Sequence, residues 1–189
     1  MQIWTIGALS MLILACFGML DKTSLRLGTS LFKISFAFVV YLALSAFSIS
    51  LVTELRVSLA VLFMPLYFAY LSFSNKERIT KSGFGAFVIL SLIAAISLRS
   101  KAECAYALMG ICIMLLGLIF SKSPIFSLAV ASAFPILTEA FMAILDYMSY
   151  SYASLDLALT SVQNMQIIGV VLQSMIMTVF AKRAEVIKA

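Results

Sequence analysis

The sequence predicts an all-α fold: a polytopic bundle of seven transmembrane helices forming one integral membrane domain over residues 1–189. Three observations predict it. Hydrophobic residues make up 63% of the chain and charged residues 11%, against roughly 45–50% and about 25% in an ordinary soluble domain. Such a chain lacks the polar coat that a small soluble domain needs, because much of a small domain's surface stays exposed. Apolar runs of near-bilayer length fill almost the whole sequence, and the cations between them gather on alternate loops.

A helix needs about 20 apolar residues to cross roughly 30 Å of hydrocarbon. The first run covers residues 2–20 and is followed by Asp21, Lys22 and Arg26. The second, 34–53, is separated from the third, 57–74, by the turn Glu54-Leu55-Arg56. Residues 75–81 form the most hydrophilic loop. The fourth run, 83–98, is short; the polar segment 99–103 leads to the fifth, 104–120. Ser121-Lys122-Ser123-Pro124 turns tightly into the sixth, which reaches residue 149. After a linker at 150–159 the seventh extends to residue 181, and a basic tail follows.

Orientation follows from the cations, which favour the cytoplasmic side. With the amino terminus outside and the carboxyl terminus cytoplasmic, the inner loops and tail hold ten Lys and Arg residues, and the outer loops hold Arg56, Arg99 and Lys101. If the short fourth run did not cross, Lys122 and the basic tail would lie outside. The charge pattern therefore has it cross, with Lys81, Arg99 and Lys101 snorkelling at its ends. The first run is expected to be an uncleaved span. Ile13-Leu14-Ala15-Cys16 resembles a lipoprotein cleavage box, but no basic residue precedes it, as a signal peptide requires.

The net charge of +5 is explained by this topology, so no nucleic-acid partner is expected. The chain has no histidine, which removes the commonest general base and metal ligand. Cys16, Cys104 and Cys112 lie in or beside apolar runs with no pairing or metal-site spacing, and read as buried, inert thiols. There is no HExxH, no phosphate-binding loop and no Gly-x-Ser-x-Gly. No enzyme activity, metal or cofactor is expected.

The costly polar residues gather in the last two runs. Glu139 lies ten residues from the outer end of the sixth, about 15 Å deep at 1.5 Å per residue. An isolated charge there is expensive, so the acid should be protonated, paired or facing a cavity. Asp146 lies two turns on, on the same face and nearer the outside. In the antiparallel seventh run Gln163 matches Asp146 in depth, while Gln166 and Gln173 bracket Glu139; Asn164 adds to the row. These residues can align as a ladder of acids against amides, read either as a path for a proton, cation or polar solute, or as interhelical hydrogen bonding. Pro135, one turn before Glu139, and Pro65, between Met64 and the tyrosines Tyr67 and Tyr70, mark two expected kinks. Tyr147, Tyr150 and Tyr152 form an outer aromatic anchor. Small residues at Ser127, Ala129, Ala131, Ser132 and Ala133 should let the sixth helix pack closely.

The tryptophan-bearing first run, followed by Gly18-Met19-Leu20-Asp21-Lys22-Thr23-Ser24-Leu25-Arg26-Leu27, resembles the start of the YphA family of small membrane proteins of spore-forming bacteria. That resemblance covers about the first 40 residues and implies a bacterial inner membrane, a similar number of spans and no catalytic residues. Two functions are expected beside the lipid bilayer as solvent. One is a membrane subunit acting through a partner protein; the other is a small transporter or channel with a proton- or cation-linked site at Glu139. A substrate-binding subunit of a vitamin importer would join the two, but such subunits usually have six spans.

Overall fold

The computed structural model describes residues 7–11, 13, 29–52, 54–77, 81–100 and 104–188. Residues 7–11 and 13 are helical. Beyond them lie six helices: α1 (Leu31–Leu44), α2 (Leu59–Ser74), α3 (Lys81–Arg99), α4 (Ala105–Ile119), α5 (Pro124–Tyr150) and α6 (Thr160–Lys188). Three short strands join them: β1 (Ser48–Val52), β2 (Leu55–Ser58) and β3 (Leu155–Asp156). The chain is mostly helical, as its composition predicts. The segment 18–27 that carries the family resemblance lies outside the described residues, as do Cys16 and Lys101.

The last four helices begin and end within a few residues of the expected runs, except that α6 continues to Lys188. The second run departs from expectation. Its helix stops at Leu44, where the Ser45 hydroxyl donates to the Leu42 carbonyl at 2.6 Å, and the rest becomes strand. The alternation Ser48-Ile49-Ser50-Leu51 has the period of a strand with one wet face, a signal that an average over 20 residues erases. β1 and β2 pair as an antiparallel hairpin, Ile49 opposite Val57, with an irregularity between Ser50 and Val52. β3 then joins β2 in parallel, the Leu155 and Leu157 amides donating to the Glu54 and Arg56 carbonyls at 2.8 Å each. The linker at 150–159 is thereby docked against the hairpin. Val57, Val61, Leu157 and Val162 form a small apolar cluster that ties this sheet to the helices.

Successive helices run antiparallel, and α5 is central, packing against α2, α3, α4 and α6. Its small residues Ser127, Ala129, Ala131 and Ser132 are buried, as expected of a close-packing stripe. One core lies between Ala8, Met11, α1, α2, α5 and α6, built around Phe38, Tyr41, Met64 and Phe68. A second lies between α3, α4 and α5, built around Met109, Ile113, Leu116, Phe120 and Phe134.

Both ends of α5 are held by side chains from distant parts of the chain, a loop residue at one end and the last residue of α3 at the other. At the start, Glu77 Oε1 accepts from the Ile125 amide at 3.0 Å and Oε2 from the Phe126 amide at 2.8 Å. Those are two of the four amides that a helix start leaves without an intrahelical partner, and a carboxylate also suits the positive end of the helix dipole. Ser72 orients Glu77 by donating to Oε2 at 2.8 Å. The turn that delivers Glu77 is a Schellman close to α2: the Glu77 amide donates to the Ser72 carbonyl, the Lys76 amide to that of Phe73, and Lys76 sits at φ 53°. At the other end, Arg99 Nε lies 3.1 Å from Asp146 Oδ1, and its guanidinium sits 5.8 Å from the Tyr150 ring centroid. The expected snorkelling of Arg99 is thus a specific contact.

Among the described residues, large apolar side chains are exposed on all of the helices. Phe32 and Met148 are each 77% exposed, and Leu66, Phe73, Ile89 and Ile111 are exposed as well. Among the described residues α5, with 27 residues, is the one helix long and apolar enough to cross a membrane. α1, α2 and α4 are apolar but shorter, at 14, 16 and 15 residues.

Candidate functional site

The amides and the acids, expected to face each other, serve separate ends. Gln166 is fully buried, and its Nε2 donates to the Val61 carbonyl at 2.8 Å and the Ser132 carbonyl at 3.0 Å. Proline has no N–H and crowds the carbonyl four residues before it, so Pro65 leaves the Val61 oxygen without its helical donor. Pro135 does the same to Ala131, whose oxygen neighbours that of Ser132. Ala131 O lies 3.0 Å from where a Cβ on Gly169 would stand, so the glycine lets α6 approach that carbonyl closely. One glutamine therefore bridges the proline-interrupted turns of α2 and α5. Two carbonyl partners also define which end of the amide is nitrogen, since an oxygen there would repel both.

Gln173 Nε2 donates to Ser127 Oγ at 3.0 Å, and Ser127 in turn donates to the Pro124 carbonyl at 2.8 Å. Gly117 makes room: a Cβ there would stand 2.5 Å from the Gln173 amide. Gln163 Nε2 donates to Ser58 Oγ at 3.3 Å. Asn164 is half-buried. Thus α6 turns Gln163, Gln166 and Gln173 toward α2, α4 and the first half of α5, and ties the bundle together. None of them hydrogen-bonds Glu139 or Asp146, so the expected acid–amide ladder is not formed. Gln166 Oε1 and Gln173 Oε1 have no partner among the described residues.

The acids lie on the stripe of α5 that faces α3, α4 and the next side of α6. Asp146 pairs with Arg99, as above. Asp156, in the strand linker, accepts from the Ala158 amide at 2.9 Å and lies 4.0 Å from Arg56. Glu139 is half-buried and has no hydrogen bond or ion pair among the described residues. It lines a cavity of about 250 Å³ together with Thr138, Tyr106, Met109, Met142 and Met165. The Thr138 hydroxyl is 1% exposed as a residue and has no partner among the described residues. The cavity therefore offers a carboxylate within mostly apolar walls, with the Thr138 hydroxyl buried behind them. A second cavity of about 300 Å³ lies by the sheet, lined by Ser48, Arg56, Ser58, Asp156 and Gln163 among others. Leu159 borders both cavities.

Several participants are absent from the sequence expectations. Thr138 neighbours Glu139 and could have been found by asking what else an acid-bearing turn presents. Glu77 is an acid in a basic loop, which was a usable signal, but its target lies 48 residues away. The sheet-side cavity depends on a hairpin that the apolar run conceals. Cys112 is buried as expected, whereas Cys104 is exposed, because it sits just before the start of α4 rather than within it. Pro65 and Pro135 lie inside continuous helices. No protein-family model matches this chain, and neither a curated protein nor a solved structure is significantly similar to it.

Proposed function

We propose that this is a multi-pass protein of a bacterial inner membrane that uses the Glu139 cavity to bind a small solute, with transport linked to a proton or cation. Lipid is the solvent that suits the apolar exterior; exposed patches of this extent are uncommon on soluble monomers. The seven-span topology with the amino terminus outside sets the sheet end on the outer face. There the open sheet edge and the ends of the shorter helices meet water, which unpaired backbone requires. The likeness of residues 18–27 to the YphA family accords with this location.

One observation carries the functional reading. Glu139 lines a cavity without a partner among the described residues, while Asp146 and Asp156, nearer the sheet end, lie beside arginines. A carboxylate kept at depth is costly. Interhelical hydrogen bonding explains the glutamines, whose amides are engaged, but it does not explain Glu139. The cavity also favours a site built by the chain itself over the subunit that acts through a partner.

Reconstitution in proteoliposomes tests this. Wild-type protein should give a proton or cation flux that Glu139→Gln abolishes while the protein remains folded and inserted. Equal flux through both, or none through either under any applied gradient, would reject the transport reading.

A further inference from the structure

We propose that the Glu139 cavity takes a small lipophilic primary amine in its ammonium form. This rests on the reading of the cavity as a solute site and names the solute's chemistry. The sign of charge comes first. Asp146 is paired with Arg99 at 3.1 Å and Asp156 lies 4.0 Å from Arg56, no cationic side chain among the described residues lines the cavity, and Glu139 is left as the acid without a cationic partner among them. Such a wall attracts cations and rejects anions.

Ligand count argues against a hard metal ion. Calcium takes six to eight oxygen ligands and magnesium a near-ideal octahedron of oxygens. Here one carboxylate and a few hydroxyls share the wall with the thioethers of Met109, Met142 and Met165. An alkyl or aryl ammonium fits both halves of this surface. Its N–H groups meet the Glu139 carboxylate on the cavity wall, and its carbon body meets polarizable methionines, which adapt to varied apolar shapes. Size sets the scale: about 250 Å³ falls below the roughly 300–1,000 Å³ of sites for drug-sized ligands. Tyr106 and Leu159, both exposed, form the rim. They stand at the sheet end, the depth at which amphipathic molecules gather in a bilayer.

The test is calorimetric titration of the full chain in lipid nanodiscs with four probes: benzylammonium, benzyl alcohol, sodium and silver(I). Benzylammonium should bind saturably. Benzyl alcohol, of nearly the same shape without charge, should bind about 10- to 100-fold more weakly, the scale of one charge-assisted contact. Glu139→Gln should weaken the amine by the same factor and leave the alcohol unchanged. The comparison of amine with alcohol on wild-type protein needs no variant, so a misfolded mutant does not blunt it. Equal affinity for amine and alcohol, or amine binding indifferent to Glu139→Gln in folded protein, overturns the proposal. Sodium, silver(I) or proton transport that depends on Glu139 with benzylammonium inert overturns the amine but leaves the solute site standing. A cavity that takes no probe, with no Glu139-dependent flux, removes both.

Discussion

Gln166 Nε2 donates at 2.8 Å to the carbonyl of Val61, the oxygen that Pro65 deprives of its helical donor. A second hydrogen bond from the same nitrogen reaches Ser132 at 3.0 Å, beside the break made by Pro135. Two prolines and a glutamine, far apart in sequence, thus form one unit around a buried amide. Its geometry gives the Val61 carbonyl, freed by Pro65, a new donor, and holds α5 one residue from the carbonyl that Pro135 frees.

The unit makes a prediction that depends on coupling. Gln166→Leu strips the Val61 oxygen of its remaining donor and should destabilise the protein by about 1–2 kcal/mol. In a Pro65→Ala background, residue 65 can again donate to Val61, and the same substitution should cost measurably less. A double-mutant cycle by reversible unfolding in detergent gives the coupling energy. Strict additivity would mean that the glutamine is not serving the proline's orphaned carbonyl.

Two glycines of α4 should respond in opposite directions. A Cβ on Gly117 would stand 2.5 Å from the Gln173 amide, whereas one on Gly110 meets nothing within 4 Å. Gly117→Ala forces Gln173 off Ser127 and should cost about 1–3 kcal/mol, as overpacking does. Gly110→Ala should be neutral or stabilising by up to about 1 kcal/mol, the helix-propensity gain. Melting temperatures of the pair, compared in one detergent, check this. Similar shifts for both would show that Gly117 is not providing space for the amide.

At the opposite end, Glu77 closes the start of α5 from a neighbouring loop. Glu77→Ala leaves the Ile125 and Phe126 amides without their acceptor and should cost about 1–2 kcal/mol, the range for a lost helix cap. Hydrogen exchange should accelerate at these two amides first. Unchanged exchange there would mean that another group caps the helix in the membrane.

Cys104 offers a direct reading of sidedness. It is exposed at the sheet end, while Cys112 is buried. With Cys16 and Cys112 changed to serine, a membrane-impermeant maleimide should label Cys104 in intact cells without permeabilisation. Labelling only after the membrane is opened would invert the proposed orientation and move the Glu139 cavity's mouth to the cytoplasmic side.

Much of the helical frame was legible because apolar runs and short polar turns are local features. Residues 83–98, 104–120 and 124–149 were bounded almost correctly from hydropathy alone, and the small residues that let α5 sit at the centre were visible as a stripe. The hairpin at Ser48–Val52 and Leu55–Ser58 was hidden because the same apolar window suits strand or helix, and only the alternation at Ser48-Ile49-Ser50 separates them. The candidate site divides in the same way. Glu139 was singled out by the cost of burying charge, which depends on depth in one run, and Gln163, Gln166 and Gln173 by the same argument. Their roles were not legible, since depth along antiparallel helices says which residues lie level and not which faces turn together. Sequence by itself determined where the polar residues fall along each run. Rotation of α6 about its own axis, set by the close approach of Gly169 to Ala131 and Gly117 to Gln173, decided that the amides would hold the bundle and leave Glu139 to the cavity.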